Sequence, residues 1–315
     1  MRYPTVKQLR YFVALNDSRH FGKAAAASFV SQSAFSTAIS ELEALLDAQL
    51  VDRTNRQVTI TRTGQEVAIQ ARLVLRDIEQ LVSIAGERRE PLTGDLRLGV
   101  IPTIAPFMLP RILPKLRKAY PSLKLYLLED QTERIHERLL EGELDLLLLA
   151  LPYELRSVET MTLFKDKFLL AYRDGTEWVE PDNYRVSRLR PDSVLLLEDG
   201  HCLREHALDA CRIKDSQKVS TFAATSLLTL VEMVDADMGI TYLPEMAAGT
   251  TLLRDTRVKL SPTSERSYRE IALAWRKGSS RKDEFEELGQ FLTEQHTQST
   301  NGKPSRKRSG SRRSG

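Results

Sequence analysis

The sequence predicts an α/β chain in three parts: a small helical N-terminal module closed by a β-hairpin, one long connecting helix, and two α/β lobes. Three observations carry that prediction. Apolar residues recur at helical spacing from Val6 to Leu46, a 4-3-4-3-4 apolar seam runs from Val67 to Ala85, and from Asp95 onward short apolar strands alternate with helical stretches. The 315 residues, 41% of them hydrophobic, suffice for more than one core.

The N-terminal elements follow in order. Thr5-Val6-Lys7-Gln8 is a capping-box signature, and Val6, Leu9, Phe12 and Val13 form the apolar stripe of a first helix. A short alanine-rich second helix spans Gly22 to Ala27, where small side chains allow close helix approach. Val30-Ser31 reads as a turn, and Phe35, Ala38, Ile39, Leu42, Leu45 and Leu46 mark the buried face of a third helix. Its opposite face carries Gln32, Ser33, Ser36, Thr37 and Ser40. A solvated face usually carries Lys and Glu; uncharged donors and acceptors near a helix start suit contact with base edges in a DNA groove. Arg53-Thr54-Asn55-Arg56 and the alternating Gln57 to Thr61 then read as a hairpin wing, with Arg53 and Arg56 placed for phosphate. These elements make a winged helix-turn-helix, and the domain is expected over 1–63.

A second capping box, Thr63-Gly64-Gln65-Glu66, is read as opening the connecting helix. Val67, Ala71, Val74, Ile78, Leu81 and Ala85 form its heptad seam, which predicts a linker and dimerisation helix over 64–92. The two lobes are expected over 93–300. Strands are predicted at Leu96–Ile101, Leu123–Leu128 and Asp145–Leu151 as a parallel unit, with helices at Phe107–Ala119 and Glu133–Leu140. A second series has strands at Phe168–Tyr172, Val194–Leu197, Lys218–Phe222 and Gly239–Leu243, with helices at Leu203–Cys211 and Ser226–Asp235. A late strand, Glu270–Trp275, and a closing helix, Lys282–Glu294, complete it, and two lobes in one chain predict a cleft.

Charge is uneven. The net +3 includes six Lys and Arg and no acid in residues 301–315, a tail predicted to be disordered together with the residues from Thr297. Residues 1–64 hold eight Lys and Arg against five acids, which makes a mildly basic module on an otherwise acidic body and fits a polyanion reader. The longest uninterrupted apolar run, Leu146 to Leu151, is far short of the roughly 20 residues of a membrane helix. Met1 to Thr5 lacks the apolar core of a secretion signal, so a cytoplasmic location is expected. Cys202 and Cys211 are the two cysteines, too few for a disulfide framework. There is no Gly-rich phosphate loop, Ser/His/Asp arrangement or Cys-x-x-Cys, so neither an enzyme nor a cofactor is expected.

Phe21-Gly22-Lys23-Ala24-Ala25, Val30-Ser31-Gln32-Ser33-Ala34-Phe35-Ser36, Ile39, Leu42-Glu43 and Arg53-Thr54 resemble the N-terminal module of the LysR-type transcriptional regulators. The family commonly has proline at the place of Ser33 and glycine at that of Asp47. The linker helix and the two lobes, which resemble periplasmic binding proteins, extend the likeness to about residue 300. Glu198-Asp199-Gly200-His201-Cys202-Leu203-Arg204, with Cys211 nine residues beyond Cys202, resembles the peroxide-sensing members. Ile101-Pro102-Thr103, Glu129-Asp130-Gln131-Thr132 and Ala224-Thr225-Ser226-Leu227 are similar to the stretches lining their cleft, while Glu205 replaces a common aspartate. The resemblance implies that Cys202 is peroxidatic and Cys211 resolving. It also implies control of antioxidant genes on promoter DNA as a homodimer or homotetramer, with RNA polymerase and reductants such as glutaredoxin or thioredoxin as partners.

The chemistry reads the same way residue by residue. Cys202 falls after a strand end, at a helix start, where backbone N–H groups, His201 and Arg204 are expected to favour the thiolate. Thr103 and Thr132 follow adjacent strands and converge on the crevice where open sheets bind ligands, with Arg276 at the end of the late strand expected to join them around peroxide. Nine helical residues rise about 13 Å. A disulfide needs Cα atoms within about 7 Å, so the helix must unwind to form one. Three alternatives stand beside this reading: a metabolite-responsive regulator with inert cysteines, a metal site at His201, Cys202, His206 and Cys211, and a thiol peroxidase. His20, His136 and His296 lie apart from that cluster and are read as structural or surface residues.

Overall fold

The computed structural model describes residues 3–53, 58–85 and 91–301. The chain divides into two compact units, residues 1–90 with 134–145, and residues 91–133 with 146–315.

In the first unit, α1 (Val6–Ser18) is opened by the reciprocal Thr5–Gln8 capping box. It buries Tyr11, Phe12 and Leu15, whereas Val6, assigned to the stripe from spacing, is exposed at the helix start. α2 (Phe21–Ala27) begins at His20, whose Nδ1 accepts from Lys23 N at 3.2 Å. α3 (Gln32–Leu46) is capped by Ser31, and its Phe35, Ile39 and Leu42 close a core with Phe12 and Leu15. Asp47 ends α3 at φ +49, the left-handed position at which glycine is free of strain. Ser33 lies in the first turn of α3, where proline is also tolerated.

The wing pairs β1 (Val51–Arg53) with β2 (Val58–Ile60) antiparallel. Its tip, including Arg56, and the side chain of Arg53 lie outside the described residues. α4 (Arg62–Ala85) begins earlier than expected: Thr61, not Thr63, is its cap, with Thr61 Oγ1 accepting from Gly64 N at 2.9 Å. Thr61 also donates to Gln49 O, which joins the helix start to the wing. Further along, Arg72 pairs with Asp17 and with Glu143, and Arg76 pairs with Asp145 and donates to Leu144 O. Leu81 and Val82, on or beside the predicted seam, are exposed.

In the second unit, β3 (Gly94–Val100) leads through Thr103 into α5 (Ala105–Ala119), and β4 (Leu123–Glu129) ends before Thr132 opens α6 (Thr132–Leu140). β5 (Leu146–Leu151) pairs parallel with β3, as β4 does, so the expected parallel unit forms. The remaining strands make the sheet mixed. β6 (Val158–Arg173) is 16 residues long, of which the sequence predicted the last third. β7 (Val194–Leu197), α7 (Cys202–Ala210), β8 (Val219–Ala224), α8 (Leu227–Asp235), β9 (Thr241–Pro244) and β10 (Val258–Pro262) build the second lobe; β10 was not anticipated.

β11 (Tyr268–Arg276) runs antiparallel to both β5 and β6. The strand order is β10-β6-β11-β5-β3-β4, with β9 also on β6 and β7–β8 a separate parallel pair. β6 therefore serves both lobes, pairing with β11 through its first part and with β9 and β10 through its last six residues. α9 (Lys282–Asn301) extends past Glu294 through the residues from Thr297 assigned to a disordered tail. Thr293 and Thr297 bond back to carbonyls four residues earlier and so satisfy their hydroxyls within the helix. The tail at 302–315 lies outside the described residues.

Candidate functional site

α7 positions the first cysteine. Gly200 turns the chain at φ +94 so close to the Gln131 side chain that a Cβ would lie 2.9 Å from its Oε1. His201 is then the N-cap and Cys202 the first helical residue, which brings the thiol beside unpaired N–H groups. Cys202 is buried. Thr103 and Thr132 are also buried, and Thr132 Oγ1 has no hydrogen-bond partner of ordinary geometry among the described residues.

The cation at this site is Arg269. Its side chain is 0% exposed, its Nη1 donates to Thr103 Oγ1 at 2.7 Å, its Nη2 donates to Thr103 O at 2.9 Å, and its Nε pairs with Asp166 at 3.0 Å. Arg276, assigned to the pocket from sequence, is at the other end of β11, opposite Val158. The two are seven residue steps apart along the strand, roughly 23 Å. The assignment fails because β11 is antiparallel to β5: its beginning, Glu270 opposite Leu151, lies at the carboxyl end of β5, where the site is.

Electrostatics also differ from expectation. Burial pushes the Cys202 thiol above its ordinary pKa; Thr132, the Arg269 charge and the backbone N–H groups of Cys202 and Leu203 oppose that without reversing it. The thiolate support thus comes from Thr132, Arg269 and the helix start, not from His201 and Arg204. Burial lowers the His201 pKa, against a smaller opposing effect of Glu198, so its ring is neutral near pH 7. Arg204 braces the turn instead: Nη1 donates to Leu197 O at 3.2 Å, and Nε lies 3.1 Å from Asp199 and 3.8 Å from the exposed Glu205.

Cys211 is the C-cap of α7 and is buried. Burial pushes its thiol up to about 12, with the Ser267 hydroxyl opposing. Tyr184 and Tyr242 join hydroxyl to hydroxyl at 2.6 Å, and a charge on Cys211 would raise the pKa of both rings, which places the thiol near them. Both cysteines are free and stand at opposite ends of α7. One turn after Cys202, His206 fastens the helix: its Nε2 lies 2.7 Å from Pro152 O, so Nε2 is the donor. Burial lowers the His206 pKa, and Nδ1 is buried with no partner among the described residues. With Nε2 so engaged, His206 does not join His201, Cys202 and Cys211 as a ligand set, and the described residues contain no group of three or more His, Cys, Asp or Glu able to hold a metal ion.

The polar face of α3 that the sequence assigns to groove contact is open to solvent. Gln32, Ser33, Thr37 and Ser40 are exposed and Ser36 is partly so, opposite the buried Phe35 and Ile39. Ser31 caps the helix by accepting from Ala34 N. Among the described residues, no helix is long and apolar enough to cross a membrane.

A winged helix-turn-helix followed by a two-lobed α/β domain defines a DNA-binding transcription regulator. Residues 6–65 match the family described as bacterial regulatory helix-turn-helix protein, lysR family, and residues 89–297 match the LysR substrate binding domain. The chain belongs to the LysR family of transcription regulators. It is 41% identical over 294 residues to the HTH-type transcriptional regulator EstR of Acinetobacter baylyi, covering 92% of this chain and 96% of that one. It is 38% identical over 293 residues to the hydrogen peroxide-inducible genes activator of Haemophilus influenzae, with the same coverage of 92% and 96%. Full-length OxyR C199D from Pseudomonas aeruginosa superimposes with a TM-score of 0.79 at 30% identity, over 93% of this chain and 95% of that one.

Arg269 and Asp166 were missed from sequence. The remaining signal was an acid in β6 and a base in β11, each among other charged residues, and it becomes informative once the strand pairing is known.

Proposed function

We propose that the chain is a peroxide-responsive regulator that binds double-stranded promoter DNA through α3 and the wing and senses hydrogen peroxide at Cys202. In this reading residues 1–63 bind DNA, 64–92 link and dimerise, and 93–300 sense. The observation that carries it is the setting of Cys202: a buried thiol at a helix start, supported by Thr132 and the Arg269 cation. The likeness to a peroxide-inducible activator and to OxyR supports it.

Thr103 and Thr132 offer hydroxyls to the two peroxide oxygens, and Arg269 stabilises the negative charge on the departing one. The Cys202 sulfur attacks one oxygen, the O–O bond breaks, and the leaving hydroxide takes the thiol proton to become water. The sulfenic acid formed then condenses with the Cys211 thiol, releasing a second water and leaving a disulfide. Because the helix holds its ends about 13 Å apart, α7 must unwind. The His206 link to Pro152 O is lost and Cys211 leaves its pocket, which repacks this lobe. In a homodimer or homotetramer the repacking alters the spacing of the DNA-binding modules, RNA polymerase reads the change at antioxidant promoters, and a thiol reductant such as glutaredoxin or thioredoxin resets it.

The burial that raises both thiol pKa values favours a second reading, a metabolite-responsive regulator with an inert pair. Footprinting of promoter DNA with and without peroxide separates the two. The proposal predicts a peroxide-dependent footprint that Cys202→Ser and Cys211→Ser both abolish; a footprint that changes equally in either variant contradicts it.

A further inference from the structure

A pocket borders the buried Asp166–Arg269 ion pair. It has a volume of about 90 Å³, walled by Phe107, Met108 and Ile112 of α5 and by Met246, with Asp166 among its lining residues. Its rim carries Arg111 and Lys165, with Glu245 opposing them. Asp166 is neutralised by Arg269, and burial lowers the pKa of His296, which also borders the pocket and stacks on Phe164 at 3.6 Å. The opening therefore has one net positive charge over an apolar interior, and Arg111 has no ion-pair partner among the described residues.

Two lining residues reach through to the thiol site. Asp166 holds Arg269 Nε with one oxygen and accepts from Met246 N at 3.0 Å with the other. The Met246 sulfur lies 3.7 Å from Arg269 Nη2, on the guanidinium group that holds Thr103. A molecule seated against Met246 and Asp166 thus presses on the residues that fix the cation supporting Cys202.

We propose that this pocket is a second effector site for a compact organic carboxylate, its apolar body against Phe107, Ile112 and Met246 and its charge at Arg111 and Lys165, and that occupancy changes the reactivity of Cys202 through Asp166 and Arg269. The small volume excludes a bulky ligand, and the charge balance disfavours a cation. The regulatory part of this site rests on the sensor reading above, while the binding part does not.

The test uses the reduced full-length chain with cyclohexanecarboxylate and 4-methylpentanoate as probes and cyclohexylmethanol as the uncharged control. Titration calorimetry measures binding, and iodoacetamide labelling of Cys202 measures reactivity without peroxide. The expected result is saturable binding of a carboxylate but not of the alcohol, weakened about tenfold by Arg111→Gln and lost when Ala248→Phe fills the pocket. The labelling rate should change about fivefold on saturation, and Cys202→Ser should bind the carboxylate as the wild type does. No carboxylate binding, or binding that survives Ala248→Phe in a folded protein, overturns the site. Binding that leaves the labelling rate unchanged overturns the coupling. A Cys202 that ignores peroxide while its labelling still follows the carboxylate would sink the sensor reading and support this one.

Discussion

Arg269 holds Thr103 twice, at its hydroxyl and at its own carbonyl, from a position 166 residues later in the chain. That grip joins the late strand β11 to the loop after β3 and sets a fully buried cation beside Cys202. The geometry of the thiol site depends on it.

Removing the guanidinium group therefore has two separable effects. Arg269→Gln leaves Asp166 buried and unpaired, a loss of about 3–5 kcal/mol, seen as a lower denaturation midpoint. Adding Asp166→Asn removes the stranded charge and recovers much of that stability. The rate of Cys202 alkylation should remain low in both variants; equal recovery of rate and stability would show that Arg269 is merely structural.

His206 fastens α7 to Pro152 O. His206→Leu removes that hydrogen bond, at a cost of about 0.5–1.5 kcal/mol. On the proposed switch it also speeds disulfide formation after peroxide, because one restraint on unwinding is gone, and His206→Gln, which keeps a donor, lies between. Quenched-flow thiol counting checks the order of the three rates.

Much of this architecture was legible from local patterns, for local reasons. The capping box of α1, the αL end of α3 at Asp47 and the turn at Gly200 each reside in a few consecutive residues. The first part of β6 was not, because Glu159-Thr160, Leu163-Phe164 and Lys165-Asp166-Lys167 break the two-residue alternation that marks a strand, and β10 was hidden by its brevity and terminal Pro262. Arg269 was illegible for a different reason. It stands next to Glu270 at the charged start of an apolar strand, and its role depends on the direction of β11, which long-range pairing alone decides.

Gly64 is fixed by a close approach. A Cβ there would lie 2.2 Å from Leu50 O and 2.6 Å from Ile60 Cγ2, where the start of α4 meets the wing. Gly64→Ala should destabilise the N-terminal unit by at least about 1–3 kcal/mol and weaken DNA binding, while Cys202 labelling in the second unit is unchanged. Circular dichroism melting and a gel-shift titration measure the two effects.

The buried thiol and phenol predict the alkaline limit. Cys211 is raised from 9.0 to about 12 and Tyr184 from 10.0 to about 12 in the folded protein. The unfolded chain releases these protons first, so their contribution is intact below about pH 9 and is lost as pH rises toward 12. Melting of the reduced protein between pH 8 and 11 should show a falling midpoint, and Cys211→Ser should make the fall shallower. An identical slope in the variant would contradict the assignment.

Cys202 and Cys211 are proposed to form a peroxide-driven pair. The most direct test is titration of the reduced protein with hydrogen peroxide, followed by thiol blocking, intact-mass analysis and peptide mapping. Both free thiols should be lost near one peroxide per chain, with a Cys202–Cys211 crosslinked peptide. Thiols that stay reduced under excess peroxide would contradict it.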